Sequence, residues 1–162
     1  MSLYVVDNGV VPDDDRLDVV LVHGSMDRSG SWVRVVRELR GSDRRVVRYD
    51  RRGYGRSRAL GGGTMAQHVE DLFAVIGDRP CVVAGHSYGA AVALCGAERA
   101  PTLVRGVVSF EGPMSWRPWW PGRSAGGRAV QQVRDGAAMA DAAERFLRRM
   151  IGDAKWESLP AR

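Results

Sequence analysis

The run Cys81-Val82-Val83-Ala84-Gly85-His86-Ser87-Tyr88-Gly89-Ala90-Ala91 decides how the rest of the chain is read. An apolar, β-branched stretch feeds into Gly-His-Ser-Tyr-Gly, and a small-residue stretch of helical character follows. Gly-x-Ser-x-Gly between a strand and a helix is a nucleophile elbow, a sharp turn that lifts a serine hydroxyl above the end of a sheet. The five-residue pattern alone is common by chance. The strand before it and the Ala/Gly-rich helix after it make it specific. Its two glycines have a physical role, because a Cβ on either flank of so tight a turn would collide.

On the N-terminal side, Leu17 to Val22 is almost wholly apolar, as in a strand covered on both faces, and it ends in His23-Gly24-Ser25-Met26. Leu3 to Val6 reads as a short edge strand. From Ser29 to Arg40 the residues Trp32, Val33, Val35, Val36 and Leu39 share one helical face, and Gly41 stops that helix. Arg45 to Tyr49 is the next strand, followed by the loop Asp50-Arg51-Arg52-Gly53-Tyr54-Gly55-Arg56-Ser57. Thr64 caps a helix reaching Ile76, with Met65, Val69, Leu72, Phe73 and Ile76 on its buried side. The elbow helix runs to about Ala100, and Val104 to Phe110 is a further buried strand.

Strands thus alternate with helices from residue 17 to residue 110, which predicts an α/β fold with a mostly parallel sheet and helices on both faces. Residues 1–113 form this core. Residues 114–162 read differently: a loop rich in Trp, Pro and Gly (Trp116, Trp119, Trp120), then helices at about Ala129–Val133 and Ala137–Ile151. That pattern suggests a helical lid, and its tryptophans suggest an apolar substrate.

Composition narrows the classes. The formal charge is +5, but Lys155 is the single lysine and the arginines are scattered over nearly every element, with no compact basic block. A nucleic-acid partner wants a concentrated basic stripe, so none is expected. Cys81 and Cys95 fall in the elbow strand and its helix, where cysteine acts as a small hydrophobe, so neither disulfides nor a metal site is expected. The start Met1-Ser2-Leu3-Tyr4 carries no basic and apolar leader, and no apolar run approaches membrane-spanning length. A cytoplasmic protein without membrane association is the expectation. Gly53-x-Gly55 and Gly61 to Gly63 do not open a helix after the first strand, so no dinucleotide cofactor is implied.

Ser87 needs a base within hydrogen-bond reach and donors for an oxyanion. Tyr88 N–H is one donor, and the N–H of Ser25 or Met26 in the His23-Gly24 turn is the other; losing one such donor typically costs about 3 kcal/mol of transition-state stabilisation. Glu111, at the carboxyl end of the strand after the elbow, is placed as the acid that orients an imidazole. Triad order on this architecture puts the histidine after the acid. The three histidines here, His23, His68 and His86, all precede or adjoin Ser87. His23 belongs to the oxyanion turn, His68 reads as a solvated helix face beside Gln67 and Glu70, and His86 directs its ring away from the neighbouring hydroxyl. None reads as the base.

His23-Gly24-Ser25, Trp32, Tyr49 to Ser57, Gly85 to Gly89 and Phe110-Glu111-Gly112-Pro113 together resemble the α/β-hydrolase superfamily, specifically small bacterial hydrolases with a helical lid. The resemblance covers roughly residues 3 to 150. It implies Ser87 as nucleophile, Ser25 and Tyr88 as oxyanion donors, and Glu111 at the strand end from which dehalogenase-like members take their acid. Dehalogenases and epoxide hydrolases of this superfamily use an aspartate nucleophile. Ser87 therefore implies hydrolysis of ester-like bonds in small substrates through an acyl-enzyme, with lactonase, amidase, thioesterase and cofactor-free perhydrolase chemistry also open. Members of the family continue past the lid with two more strands and the catalytic histidine. The expectation is accordingly a C-terminally truncated chain, inactive or weakly active, with its last strand left at an uncovered edge. The alternative is a non-catalytic protein of the same fold that binds a small molecule or a partner. Substrate and oligomeric state stay open.

Overall fold

Five short apolar runs pair into one sheet in the computed structural model, which describes residues 2–11, 16–114, 118–119 and 125–160. The strands are β1 (Val5–Asp7), β2 (Asp18–Val22), β3 (Val46–Tyr49), β4 (Cys81–His86) and β5 (Val104–Phe110), in the spatial order β1-β3-β2-β4-β5. β1 runs antiparallel to β3, and every other pair is parallel. The chain divides into two compact units, Met1–Pro113 and Met114–Arg162.

Within the first unit, strand parity sorts the side chains between the two faces. Val20, Val47 and Val83 lie opposite one another in register, and with Val22 and Tyr49 they join one cluster with Val69, Leu72 and Ile76 of α2 (Met65–Ile76) and Val92 and Ala93 of α3 (Tyr88–Arg99). Leu21 is equally buried but has the opposite parity, as does Arg48, whose Nη1 donates to the Ser29 carbonyl at 2.8 Å. The segment from Ser29 therefore covers the second face. The mostly parallel sheet with helices on both sides is as the alternation predicts.

Local chemistry explains the boundaries. Thr64 accepts from Gln67 N–H at 3.2 Å while Gln67 Oε1 accepts from Thr64 N–H at 2.9 Å, a complete capping box at the start of α2. Asp18, buried in an otherwise apolar strand, is held by Arg45 Nη1 at 2.9 Å and Arg79 Nε at 3.4 Å.

Two expectations change. Ser29 to Arg40 begins as a 3-10 helix (Ser29–Trp32) and only then becomes α1 (Val33–Glu38), so its apolar positions do not share a face and Val33 and Val35 stay exposed. The shorter 3-10 repeat breaks the spacing on which a single stripe depends. β5 is not a buried strand: beyond Val104 its side chains are partly or well exposed, with Val108 at 57% and Phe110 at 59%. As an outer strand of the described sheet it has a covering neighbour only on the β4 side.

The second unit contains α4 (Ala125–Arg134), α5 (Met139–Ile151) and α6 (Asp153–Glu157). α4 packs on α5, and α5 on α6. Trp116 and Trp120 lie outside the described residues, and Trp119 is exposed. No described helix is long and apolar enough to cross a membrane.

The elbow glycines make the fold testable. A Cβ on Gly89 would overlap the carbonyl groups of Val22 and His23, which are backbone and cannot swing aside, whereas a Cβ on Gly62 would meet nothing within 4 Å. Gly89→Ala is expected to cost about 3 kcal/mol or more and Gly62→Ala less than about 0.5 kcal/mol in urea unfolding. Equal midpoints for the two variants would refute the close approach of the elbow to β2.

Candidate active site

Ser87 occupies the turn between β4 and α3 with φ 51° and ψ −120°, a left-handed conformation that costs a non-glycine residue about 1–3 kcal/mol. The neighbours hold it there. Ser87 N–H donates to the Phe110 carbonyl at 2.8 Å, which ties the elbow to the end of β5, and the Ser87 carbonyl accepts from Ala90 N–H at 2.9 Å. Gly85 runs against the Gly89–Ala90 backbone, and Gly89 against the end of β2. Both glycines of the motif are thus required by contact.

Beneath this turn lies Arg51, only 1% exposed. Its Nε donates to the His23 carbonyl and its Nη2 to the Gly24 carbonyl, both at 2.9 Å, and Nη1 approaches His68 Nε2 at 3.4 Å. The guanidinium also lies 4.7 Å from the Tyr54 ring centre and 4.9 Å from that of Tyr88. By sequence alone Arg51 belongs to the loop Asp50–Ser57, rich in glycine and charge. The available signal is parity: two residues beyond Tyr49, Arg51 falls on the face that α2 and α3 cover. Its neighbours are fixed as firmly. Asp50 accepts Ser29 N–H at 2.7 Å and Arg56 N–H at 2.8 Å, and Arg52 forks onto Asp71 at 2.6 and 2.7 Å. Burial alone would raise the Asp50 carboxyl, but donation from the Arg56 and Ser29 N–H groups outweighs it and holds it below its ordinary value.

These bonds orient the turn after β2. His23 Nδ1 donates to the Gly24 carbonyl at 2.8 Å while its Nε2 accepts Arg51 N–H at 2.9 Å, so its partners fix the neutral tautomer. Burial, and then the Arg51 charge, push the His23 pKa down. The Gly24 carbonyl faces Arg51, and in a trans peptide the next N–H points the opposite way. Ser25 N–H is therefore directed away from the buried guanidinium, and Gly24 borders Ser87: a Cβ there would stand 3.2 Å from Ser87 Cβ. Ser25 and Met26 form an exposed turn, with Met26 at φ 56°. Tyr88 is the first residue of α3, so its N–H has no acceptor within the helix.

His68 is not on a solvated face: it is 4% exposed, packed edge-on against Tyr88 with ring centres 5.5 Å apart. α2 turns it inward because it sits one position before Val69 and four before Leu72, flanking the buried stripe. Accepting from Arg51 at Nε2 leaves the hydrogen on Nδ1, which has no partner among the described residues. Burial and the Arg51 charge push its pKa down to about 4. His23 and His68 are both neutral, engaged groups of the interior.

His86 and Glu111 remain. His86 Nε2 lies 3.3 Å from Glu111 Oε2, both side chains partly solvent-exposed. The His86 ring also lies beside Phe110, with centres 5.5 Å apart, and a Cβ on Gly24 would stand 3.0 Å from His86 Nδ1. The ring thus spans the carboxyl ends of β2, β4 and β5. Glu111 has φ 52°. Among the described residues no group of three or more His, Cys, Asp or Glu could hold a metal ion.

The sequence profile of the Alpha/beta hydrolase family matches residues 19–162. The chain is 36% identical over 112 residues to epoxide hydrolase B of Mycobacterium tuberculosis, covering 65% of this chain and 32% of that one. The crystal structure of Paleococcus ferrophilus monoacylglycerol lipase superposes with a TM-score of 0.63 at 25% identity, over 84% of this chain and 52% of that one. An epoxide hydrolase from an endophytic Streptomyces gives 0.54 at 28% identity, over 65% of this chain and 32% of that one. The chain spans about a third of the length of the curated epoxide hydrolase it matches.

Two outcomes test the Arg51 anchor. Arg51→Leu leaves the His23 and Gly24 carbonyls buried without donors, and a loss of about 3–5 kcal/mol is expected in urea unfolding. The His68 imidazole, neutral when folded down to pH about 4, takes up a proton at its ordinary 6.5 when unfolded. The unfolded state then binds more protons across that window, so stability falls as pH drops through it, by up to roughly 3 kcal/mol. His23 adds to the slope in the same direction. His68→Leu should flatten the pH dependence of the unfolding midpoint between 6.5 and 4, and an unchanged slope would exclude a buried neutral His68.

Proposed function

Because the chain belongs to the alpha/beta hydrolase family, we propose that it is the elbow-bearing part of a serine hydrolase that cleaves ester-like bonds in small substrates. Ser87 attacks the acyl carbon, and the developing oxyanion is met by Tyr88 N–H and Ser25 N–H, with Met26 N–H adjacent. Glu111 is the acid that orients an imidazole. An acyl-enzyme forms on Ser87, and water releases it.

The observation that carries this reading is a serine held in a left-handed turn beside a peptide whose N–H is turned outward by Arg51. The identity of the nucleophile separates ester chemistry from the epoxide chemistry of the relatives. A serine oxygen opening an epoxide would be left in an ether, which offers water no carbonyl to attack. A serine oxygen that has taken an acyl group is left in an ester, which water can cleave. A carboxylate nucleophile would reach such an ester from an epoxide, and residue 87 is not one.

Incubation with p-nitrophenyl acyl esters tests the proposal. Expected are p-nitrophenol release, an acyl mass on the Ser87 peptide after acid quench, and a loss of at least about 10³-fold in Ser87→Ala. Turnover that survives Ser87→Ala, or hydrolysis of styrene oxide in place of the esters, would refute it. Absence of any turnover or adduct would favour a non-catalytic protein that binds its ligand in the same place.

A further inference from the structure

A buried arginine is ordinarily met by a carboxylate, because a charge taken out of water needs a counter-charge close by. Arg51 is 1% exposed, and among the described residues no ion pair joins it to a carboxylate. Asp50, next to it in the chain, accepts from Ser29 and Arg56 N–H, and Asp71 is taken by the fork of Arg52. The third arm of the guanidinium, Nη1, meets only the neutral ring of His68.

The charge is directed into the backbone instead. Nε reaches the His23 carbonyl and Nη2 the Gly24 carbonyl, each at 2.9 Å, so two successive peptides accept from one cation. The Gly24 carbonyl accepts a second time, from His23 Nδ1 at 2.8 Å. An amide whose oxygen takes two donors, one of them charged, is polarised, and its own N–H becomes the stronger donor. In the Gly24–Ser25 peptide that donor is Ser25 N–H. The peptide is trans, so the N–H points opposite to the carbonyl. Ser25 lies in the exposed turn, and its N–H has no acceptor among the described residues.

We propose that Arg51 supplies positive charge, by way of the Gly24–Ser25 peptide, to the proposed oxyanion site, and that a negative oxygen bound there is the counter-charge the buried guanidinium lacks. Orientation alone would be served by any donor that held the two carbonyls inward. A cation adds a preference for charge. A substrate ester carbonyl is only partly negative, whereas its tetrahedral intermediate carries a full negative charge, so a polarised N–H favours the second over the first. Arg51 is in this sense a positioning residue that acts through a peptide, and its removal should show in kcat more than in KM.

This role of Arg51 rests on the serine hydrolase reading, while the polarised peptide can be measured directly. Base-catalysed exchange of an amide proton passes through an anion of the amide, which a neighbouring cation favours. Exchange of Ser25 N–H with water is followed by NMR in the full chain as wild type, Arg51→Gln and Arg51→Lys, beside acylation by p-nitrophenyl acyl esters. The first variant keeps a donor without the charge, and the second keeps the charge. Expected are wild-type exchange faster than in an unstructured peptide of the same sequence, a fall of about 10-fold in Arg51→Gln, and recovery in Arg51→Lys. The kcat for acylation should fall by about 10-fold in Arg51→Gln with KM changed less than about 2-fold. Unchanged Ser25 exchange in Arg51→Gln, or Ser87-dependent acylation at an unchanged kcat, overturns the proposal and leaves the serine hydrolase reading intact. Arg51-dependent exchange in a chain whose Ser87→Ala variant matches wild type towards the esters overturns that reading, and with it the catalytic use of the charge. If neither Arg51 variant folds by circular dichroism, the wild type decides: Ser25 exchange no faster than in the unstructured peptide overturns the proposal.

Discussion

One buried guanidinium sets the geometry on which the site depends. Arg51 gives its N–H groups to two carbonyls of the turn after β2 and to the His68 ring, and its faces lie against Tyr54 and Tyr88. Taking a charge out of water is costly, and what is recovered in hydrogen bonds and ring contacts leaves such a group close to neutral in net stability. The gain lies in orientation. Because the guanidinium is a rigid fork, the His23 and Gly24 carbonyls can satisfy it only with their peptides turned inward. Ser25 N–H then has to point out. The Tyr88 ring lies against the same cation, so the side chain that turns the Gly24 peptide also packs on the first residue of α3.

Backbone strain follows the same map. Four non-glycine residues of the described chain have positive φ, and three of them, Met26, Ser87 and Glu111, stand just beyond the carboxyl ends of β2, β4 and β5. Those strands are neighbours in the sheet. Each such residue is costly on its own and persists because its surroundings over-determine it. For Ser87 the constraint is the N–H bond to Phe110 and the packing of both motif glycines. For Glu111 it is the same bond read from the other side, since fixing Phe110 O fixes where the chain must turn. Strain at the elbow and strain at the acid are mechanically one feature.

The sheet was legible because its strands are continuous apolar runs and its punctuation is chemically distinct. Thr64 with Gln67 announces a helix, and Gly85 and Gly89 announce an elbow. What period and composition could not reveal was the interior polar layer. Arg51, His23, His68 and Asp50 carry the same letters as solvated residues, and their burial depends on one another. His68 goes inward because Arg51 and Tyr88 offer it a place, and Arg51 goes inward because two carbonyls and two rings receive it. A network of this kind has no one-dimensional signature beyond strand and helix parity. The same holds for β5, whose apolar sequence reads as core but which, among the described residues, has a strand on one side alone and exposes Val108 and Phe110.

The division between scaffold and chemistry explains how one chain can be similar to both an epoxide hydrolase and a lipase. Everything that Arg51, Asp50, Gly24, Gly85 and Gly89 do concerns the path of the backbone. A turn built this way presents whichever side chain stands at its apex, and outward N–H groups stabilise an oxyanion whatever carbonyl it came from. In the proposed reading the reaction is then chosen by very few atoms, chief among them the oxygen at residue 87. His86, the last residue of β4, and Glu111, just past β5, stand 3.3 Å apart beside that turn. Fold and chemistry can therefore vary independently here, the first through buried polar anchors and the second through exposed strand ends.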